Sequence, residues 1–571
     1  MSSMFPFFSV LFKTVSGFGS LFGLFYRRMF VGDSENVDTY GTRPLQLALC
    51  LMLPGVIYTL ALAPSYTGLI PLGQLRPPSS QLEDHFVFVT YSFCVAGIAV
   101  LLKWPSILPS ELDVRILEAL PIARVTIFGA KAAASACFFS LFIVCASMPS
   151  TLLLPGIAGE SHFFRHVYAH AVSTTLAAIF AGCLVVCLLS ISLILARLLS
   201  VPAISALFQS LLMSAFLLLL FLEVPFAAIS QVLLRPQHSW ALDIPSLWFV
   251  ALYERLMRNS SSGHISSDIP GSCLFITLVS ATSASLLFVA AYSLERRYLL
   301  RDKKAEQYEP SKFRKLYASQ GLGRSCISRS TYYLTQATVM RLGRSRNIVL
   351  LFGSLGLVLA MQRTIDSLLP FRSDLMVGGS THVALPIVIV LFALAQGLFT
   401  VCSLPIPILP ESLFELHAAG SEEDLMEGTV RWVRVLMMSL GMFASVALLA
   451  ITSRGHSLSP FWLGAPLDAC LWALIITNVI FIPFSGIPFT AKDGRVRALS
   501  VYLVVSFVVG LPLLMFLTRA LDYFAVPRWL PTLLLVGTAL GTTVSFRTLN
   551  RRMRPLVDFL HEDGGTQRLD L

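Results

Sequence analysis

Residues 171–196 read AVSTTLAAIFAGCLVVCLLSISLILA, a run without a single Asp, Glu, Lys or Arg. At 1.5 Å per residue it makes a helix of roughly 39 Å, enough to cross the roughly 30 Å hydrocarbon core of a bilayer. A surface helix of a soluble domain needs a polar face toward water, and this run has no charges with which to build one. Working outward, charge-free apolar stretches also cover Pro44–Pro64, Phe86–Leu102, Ala132–Leu154, Pro202–Leu222 and Ser272–Leu294. Beyond a basic stretch come Ile348–Met361, His382–Cys402, Val435–Thr452, Ala469–Phe489, Ala498–Leu517 and Trp529–Phe546. A charge at a span centre costs about 3 kcal/mol on insertion scales, so these gaps predict an all-α polytopic membrane protein of about twelve transmembrane helices.

Composition agrees. The 571-residue chain is 55% hydrophobic and 13% charged, whereas a soluble domain carries about 25% charged residues. The ten cysteines are Cys50, Cys94, Cys137, Cys145, Cys183, Cys187, Cys273, Cys326, Cys402 and Cys470; no CxxC occurs, and all but Cys326 lie in or beside apolar runs. They read as small apolar side chains rather than a disulfide framework.

The net charge of +10 is unevenly placed. With the amino terminus inside, 32 of the 42 Lys and Arg residues, including every lysine, fall on cytoplasmic segments. The positive-inside rule therefore predicts that both termini and the large central loop are cytoplasmic, in a plasma membrane such as a bacterial inner membrane. The stretch Glu295–Arg346 holds thirteen basic residues against four acids. Contact with anionic lipid head groups accounts for that charge, with no need of a nucleic acid.

The expected organisation is a cytoplasmic amphipathic segment (1–43), a six-span half (44–295), a basic connector (296–346), a second six-span half (347–549) and a cytoplasmic tail (550–571). Phe5–Tyr26 reads either as a helix lying in the interface or as a thirteenth span. Ser330–Arg346 is placed to repeat that interfacial helix before the second half. Each half carries a similar hexapeptide after its second span, Ile107-Leu108-Pro109-Ser110-Glu111-Leu112 and Ile408-Leu409-Pro410-Glu411-Ser412-Leu413. Matching topological position points to a duplication with parallel repeats.

After the first hexapeptide comes Arg115-Ile116-Leu117-Glu118-Ala119-Leu120-Pro121-Ile122-Ala123-Arg124-Val125-Thr126-Ile127-Phe128-Gly129-Ala130-Lys131. This resembles the cytoplasmic loop of the type-two ABC exporter permeases, in which an L-E-x-L…P-x-x-R-x-x-I-x-x-x-K pattern follows the second span. The resemblance implies a six-span unit preceded by an amphipathic helix, and a short coupling helix that docks on a separate ABC ATPase, itself a dimer. It assigns that contact to Leu117, Glu118, Leu120, Pro121, Arg124 and Lys131, with Pro410, Glu411 and Leu413 as a second coupling loop. The second loop departs from the pattern: between Glu411 and Arg434 it carries six acids and lacks the Pro-x-x-Arg step. From the residues themselves, Leu112, Ile116 and Leu120 make an apolar stripe at four-residue spacing, fit to seat in a groove. The other reading makes Arg124 and Lys131 ordinary interfacial anchors.

The chain has no GxxxxGK[ST], GxSxG, HExxH or GxGxxG. It is therefore expected to be a transport protein and not an enzyme, binding no cofactor itself, with ATP hydrolysed by its partner. A twelve-span secondary transporter and a non-transporting membrane scaffold are the alternatives, although the span centres lack the carboxylates that ion-coupled transport usually needs. Glu223 and Asp468 fall at span ends. Val224–Gln231, after Glu223, could turn back into the membrane and bury that carboxylate.

His162, His166 and His170 stand four apart at the outer mouth of the fourth span, so a metal could bridge two of them. A wet, polar helix end is the other reading, and no metal is expected. Trp248 and Tyr253, within Pro245–Glu254, suit either an external gate on the substrate pathway or an interfacial aromatic helix. Asn259-Ser260-Ser261 is a nominal glycosylation triplet on an external loop.

Overall fold

The computed structural model of this chain describes residues 5–30, 43–67, 78–117, 120, 122–158, 163–199, 201, 203–221, 244–257, 269–300, 326–341, 343–368, 384–403, 422–452, 464–482, 502–503, 505–523, 532–546 and 548. Its elements are helices, and no strand occurs among the described residues. In hydrocarbon each backbone N–H and C=O needs an internal partner, which a helix supplies within one segment.

The chain divides into two compact units, Met1–Lys304 and Ala305–Leu571. The first contains α1 (Phe5–Phe30), α2 (Arg43–Thr67), α3 (Pro78–Ile107), α4 (Glu111–Leu117) and α5 (Arg124–Ala158). It continues with α6 (Phe163–Leu198), α7 (Ala203–Phe221), α8 (Pro245–Met257) and α9 (Ile269–Leu300). The second contains α10 (Cys326–Arg341), α11 (Gly343–Leu368), α12 (Ala384–Ser403), α13 (Glu422–Thr452) and α14 (Gly464–Phe481). A π-helical turn, Ser506–Gly510, then leads into α15 (Leu511–Tyr523), and α16 covers Thr532–Phe546.

Among the described residues, six helices are long and apolar enough to cross a membrane, on α3, α5, α6, α9, α12 and α13. Shorter apolar helices stand at Ala48–Pro64, Ile204–Leu220, Ser345–Met361, Ala465–Phe481 and Thr532–Phe546. Large apolar side chains cover outer faces, as with Phe275, Leu278 and Leu286 on α9. In water such faces would drive aggregation; in lipid they meet their own kind. The surface is therefore compatible with a membrane-embedded helical bundle.

In unit 1 the centre is α6, which packs on α3, α5, α7, α8 and α9. Its buried side includes Ala169, Ala177, Ala178 and Ala181. Small residues matter here because helices in lipid gain little from the hydrophobic effect and associate through close van der Waals approach. The end of α6 is fastened to α9: Arg197 Nε and Nη2 donate to Glu295 at 2.8 and 2.5 Å, and the guanidinium lies over Tyr298. Helix α1 lies along α5, burying Leu21, Phe25 and Met29 at every fourth position.

In unit 2 the corresponding centre is α12, packed on α11, α13, α14 and α15. Phe399, Trp432, Trp472 and Phe481 fill the core beside it. Helix α10 lies along α13. In each unit, then, the helix that precedes the first apolar helix (α2 or α11) packs on the third apolar helix (α5 or α13).

Candidate functional site

The loop between α3 and α4 ends with Ser110, which caps α4. Asp113 N–H donates to Ser110 Oγ at 3.0 Å, and Ser110 N–H donates back to Asp113 Oδ2 at 3.3 Å. This reciprocal cap satisfies two helix-end donors and fixes where the Asp113 carboxylate sits. That carboxylate is buried and receives two cations. Lys131 Nζ, from α5, lies 2.8 Å from Oδ2, and Arg28 Nη1, from α1, pairs with Oδ1. Lys131 Nζ also donates to the Leu108 carbonyl at 2.6 Å and lies 5.3 Å from the centre of the Phe25 ring. One buried knot thus ties α1, the end of α3, α4 and the start of α5.

Burial alone would push the Asp113 carboxyl up. Lys131, Arg28 and the Ser110 side chain outweigh that cost and hold it below the usual carboxylate range. The group stays charged, and the knot keeps its charge-assisted bonds.

The two faces of α4 differ. Leu117 points inward, packed with Leu21, Phe25, Ile127, Ala130 and Ala134. Ile116 and Leu120 are exposed, as are Arg124 and Val125 at the start of α5. The structure therefore divides the six residues assigned to partner contact. Leu120 and Arg124 lie on the exposed face, Leu117 and Lys131 are internal, and Glu118 and Pro121 lie outside the described residues. The reading of Lys131 as an interfacial anchor needs correction, because it is 4% exposed and bonded inside the protein. Pro410, Glu411 and Leu413 of the second loop lie outside the described residues, as do Glu223, Val224–Gln231, His162 and the Asn259 triplet.

At the far end of unit 1 the structure assembles a second polar group. His85 of α3 and His170 of α6 face one another with their Nδ1 atoms 3.2 Å apart. His170 Nε2 lies 3.0 Å from Ser150 Oγ of α5, and the Tyr253 hydroxyl of α8 lies 2.8 Å from His166 Nε2. His85 stacks on Tyr253 with ring centres 3.8 Å apart. His85, His166 and His170 are buried, which corrects the expectation of a wet helix end. Among the described residues no three metal-ligating side chains are arranged to hold an ion.

Helix α8 is likewise no surface helix. Ser246, Leu247 and Phe249–Tyr253 are buried against α3, α6 and α9, because its apolar residues occur on all sides and not on one stripe. Trp248 is half-buried, near Phe180, and its carbonyl accepts from the Cys273 thiol at 3.3 Å. Asp468 accepts from the Thr532 hydroxyl at 3.0 Å, a contact between α14 and α16.

Unit 2 has no counterpart of the Asp113 knot among the described residues; its α13 carries Arg434, whose Nε donates to Asn478 Oδ1 at 2.9 Å. Sequence reasoning missed Asp113, Arg28 and His85. The Ser110-x-x-Asp113 cap was a readable signal; the partners of its carboxylate, 85 residues upstream and 18 downstream, were not.

No protein-family model, no curated protein and no solved structure matches this chain.

Proposed function

We propose that this chain is the membrane subunit of an ATP-driven exporter, with twelve spans in two fused six-span halves and both termini cytoplasmic. A separate ABC ATPase, acting as a dimer, hydrolyses ATP, and the uncharged spans favour an amphipathic or lipid-like substrate. The observation that carries this reading is the exposed face of α4 and the following turn, where Ile116, Leu120 and Val125 stand beside Arg124 on a base fastened by Asp113. Apolar side chains around one cation, on a short rigid element, make a surface that a soluble partner can seat. A push on α4 reaches α5 through the Asp113–Lys131 pair without passing through a flexible side chain at the surface.

The experiment is copurification from the native membrane with mass spectrometric identification of any P-loop ATPase. Leu120→Asp and Arg124→Glu alter the exposed face alone, and both are expected to lose the ATPase while keeping the melting temperature of the wild type. Transport by the purified chain in a proton gradient, with no ATPase present, would overturn the proposal; so would undiminished ATPase recovery with both variants.

A further inference from the structure

The histidine group is distant from the Asp113 knot. Lys131 and Ser150 lie on the same helix, separated by roughly 28 Å at 1.5 Å per residue. Its hydrogen-bond directions follow from one fixed point. Ser150 Oγ donates to the Ser147 carbonyl at 3.0 Å, so toward His170 it acts as acceptor. His170 therefore carries its hydrogen on Nε2 and accepts at Nδ1, and His85 supplies the Nδ1–H across the 3.2 Å contact. Neutral His85 then keeps its lone pair on Nε2, and that is the atom at which a further proton adds.

The surroundings decide what that proton does. Among the described residues, the side-chain hydrogen bonds and ring contacts of His85 and His170 are with each other, with Ser150 and with the rings of His166, Phe88 and Tyr253, none of them a carboxylate. The adjacent carboxylate, Asp84, accepts from the Tyr66 hydroxyl of α2 at 2.8 Å. On α6, the cation Arg165 donates to the Leu256 carbonyl at the end of α8 at 2.8 Å. Glu83 on α3 is half-buried; on α8, Glu254 is half-buried and Arg255 exposed, and α7 brings no charged residue. An imidazolium stacked on Tyr253 regains from the ring only part of what burying an unpaired ion costs. Water reaches the charge when α8 withdraws.

We propose that His85, His166 and His170 form one proton-binding site whose occupancy releases α8 from α3 and α6. The neutral site holds α8 through the Tyr253–His85 stack and the Tyr253–His166 bond. Acid adds a proton at His85 Nε2, and the segment Pro245–Met257 opens. Stability of the closed arrangement is therefore present at high pH and lost as pH falls. This site depends on neither the ATPase nor the exposed face of α4, so its failure and the failure of the exporter proposal are distinguishable.

The test is deuterium uptake by the peptide 245–257 of the full chain in lipid nanodiscs, from about pH 8 to about pH 5, corrected for intrinsic exchange. Linkage to one proton raises the opening equilibrium by about tenfold per pH unit within the titrating window. His85→Asn keeps a donor toward His170 and cannot take the proton; its uptake is expected to be flat across the range. Equal pH dependence in wild type and His85→Asn overturns the proposal. Should that variant not fold, the wild type alone decides. Cys273 is buried and bonded to the Trp248 carbonyl, whereas Cys50 is exposed. Maleimide labelling of Cys273 relative to Cys50 is expected to rise in acid, and a constant ratio overturns the proposal.

Discussion

Asp113 and Lys131 are each under a tenth exposed, so neither can turn to water if the other is removed. Breaking such a pair from one side costs about 3–5 kcal/mol, because the remaining charge is left buried. Lys131→Met is accordingly expected to lower the melting temperature sharply, and Lys131→Met with Asp113→Leu to recover most of the loss; Arg28 is partly exposed and can relax into solvent. Differential scanning fluorimetry of the three proteins checks this. The same pair sets a pH dependence. Because the folded-state carboxyl of Asp113 lies below its ordinary value, its contribution is complete above about pH 4 and disappears as pH falls through the depressed value. In Lys131→Met burial is less opposed, so the acid transition of α1 and α4 should begin at higher pH. Identical acid midpoints for variant and wild type would remove the electrostatic account of the knot.

At the scale of elements, the two units solve one packing problem differently. Unit 1 adds to the apolar contact of α1 with α5 an ionic link through α4, Arg28 to Asp113 to Lys131. Unit 2 brings α10 to α13 by close backbone approach, since a Cβ built on Gly428 would stand 2.3 Å from the Ser328 carbonyl oxygen. Beside that contact the hydroxyls of Thr335 and Thr429 bond at 3.1 Å. Backbone cannot move aside as a flexible side chain can, so Gly428→Ala must part the helices. A loss of about 1–3 kcal/mol is expected, the usual cost of overpacking, read as a fall in melting temperature with the Trp432 fluorescence altered. No change in stability would show that α10 is free to separate from α13 at no cost.

At the scale of the molecule, orientation rests on charge. All the lysines lie on segments assigned to the cytoplasm, together with the thirteen basic residues of Glu295–Arg346. Reporter fusions after residue 320 and at the carboxyl terminus are expected to report the cytoplasm, and a fusion after residue 260 the opposite side. A cytoplasmic signal from the third fusion would overturn the orientation. With that orientation the Asp113 knot would face the cytoplasm and the histidine site the opposite side, where external acid could reach it.

Residue chemistry along the chain determined that the long apolar runs form helices and which loop carries a capped helix. Those properties depend on neighbours a few positions apart: runs without charge, and Ser110 three residues before Asp113. The stripe of Ile116 and Leu120 was legible for the same reason, and both are exposed. Tertiary structure alone decided that Lys131 turns inward to Asp113, that His85 joins His166 and His170, and that α8 is buried. Each depends on residues far apart in sequence meeting across helices whose rotation about their own axes no local pattern specifies. A uniformly apolar helix has no amphipathic face to fix which side turns inward, so its few polar residues find partners only once the bundle has packed.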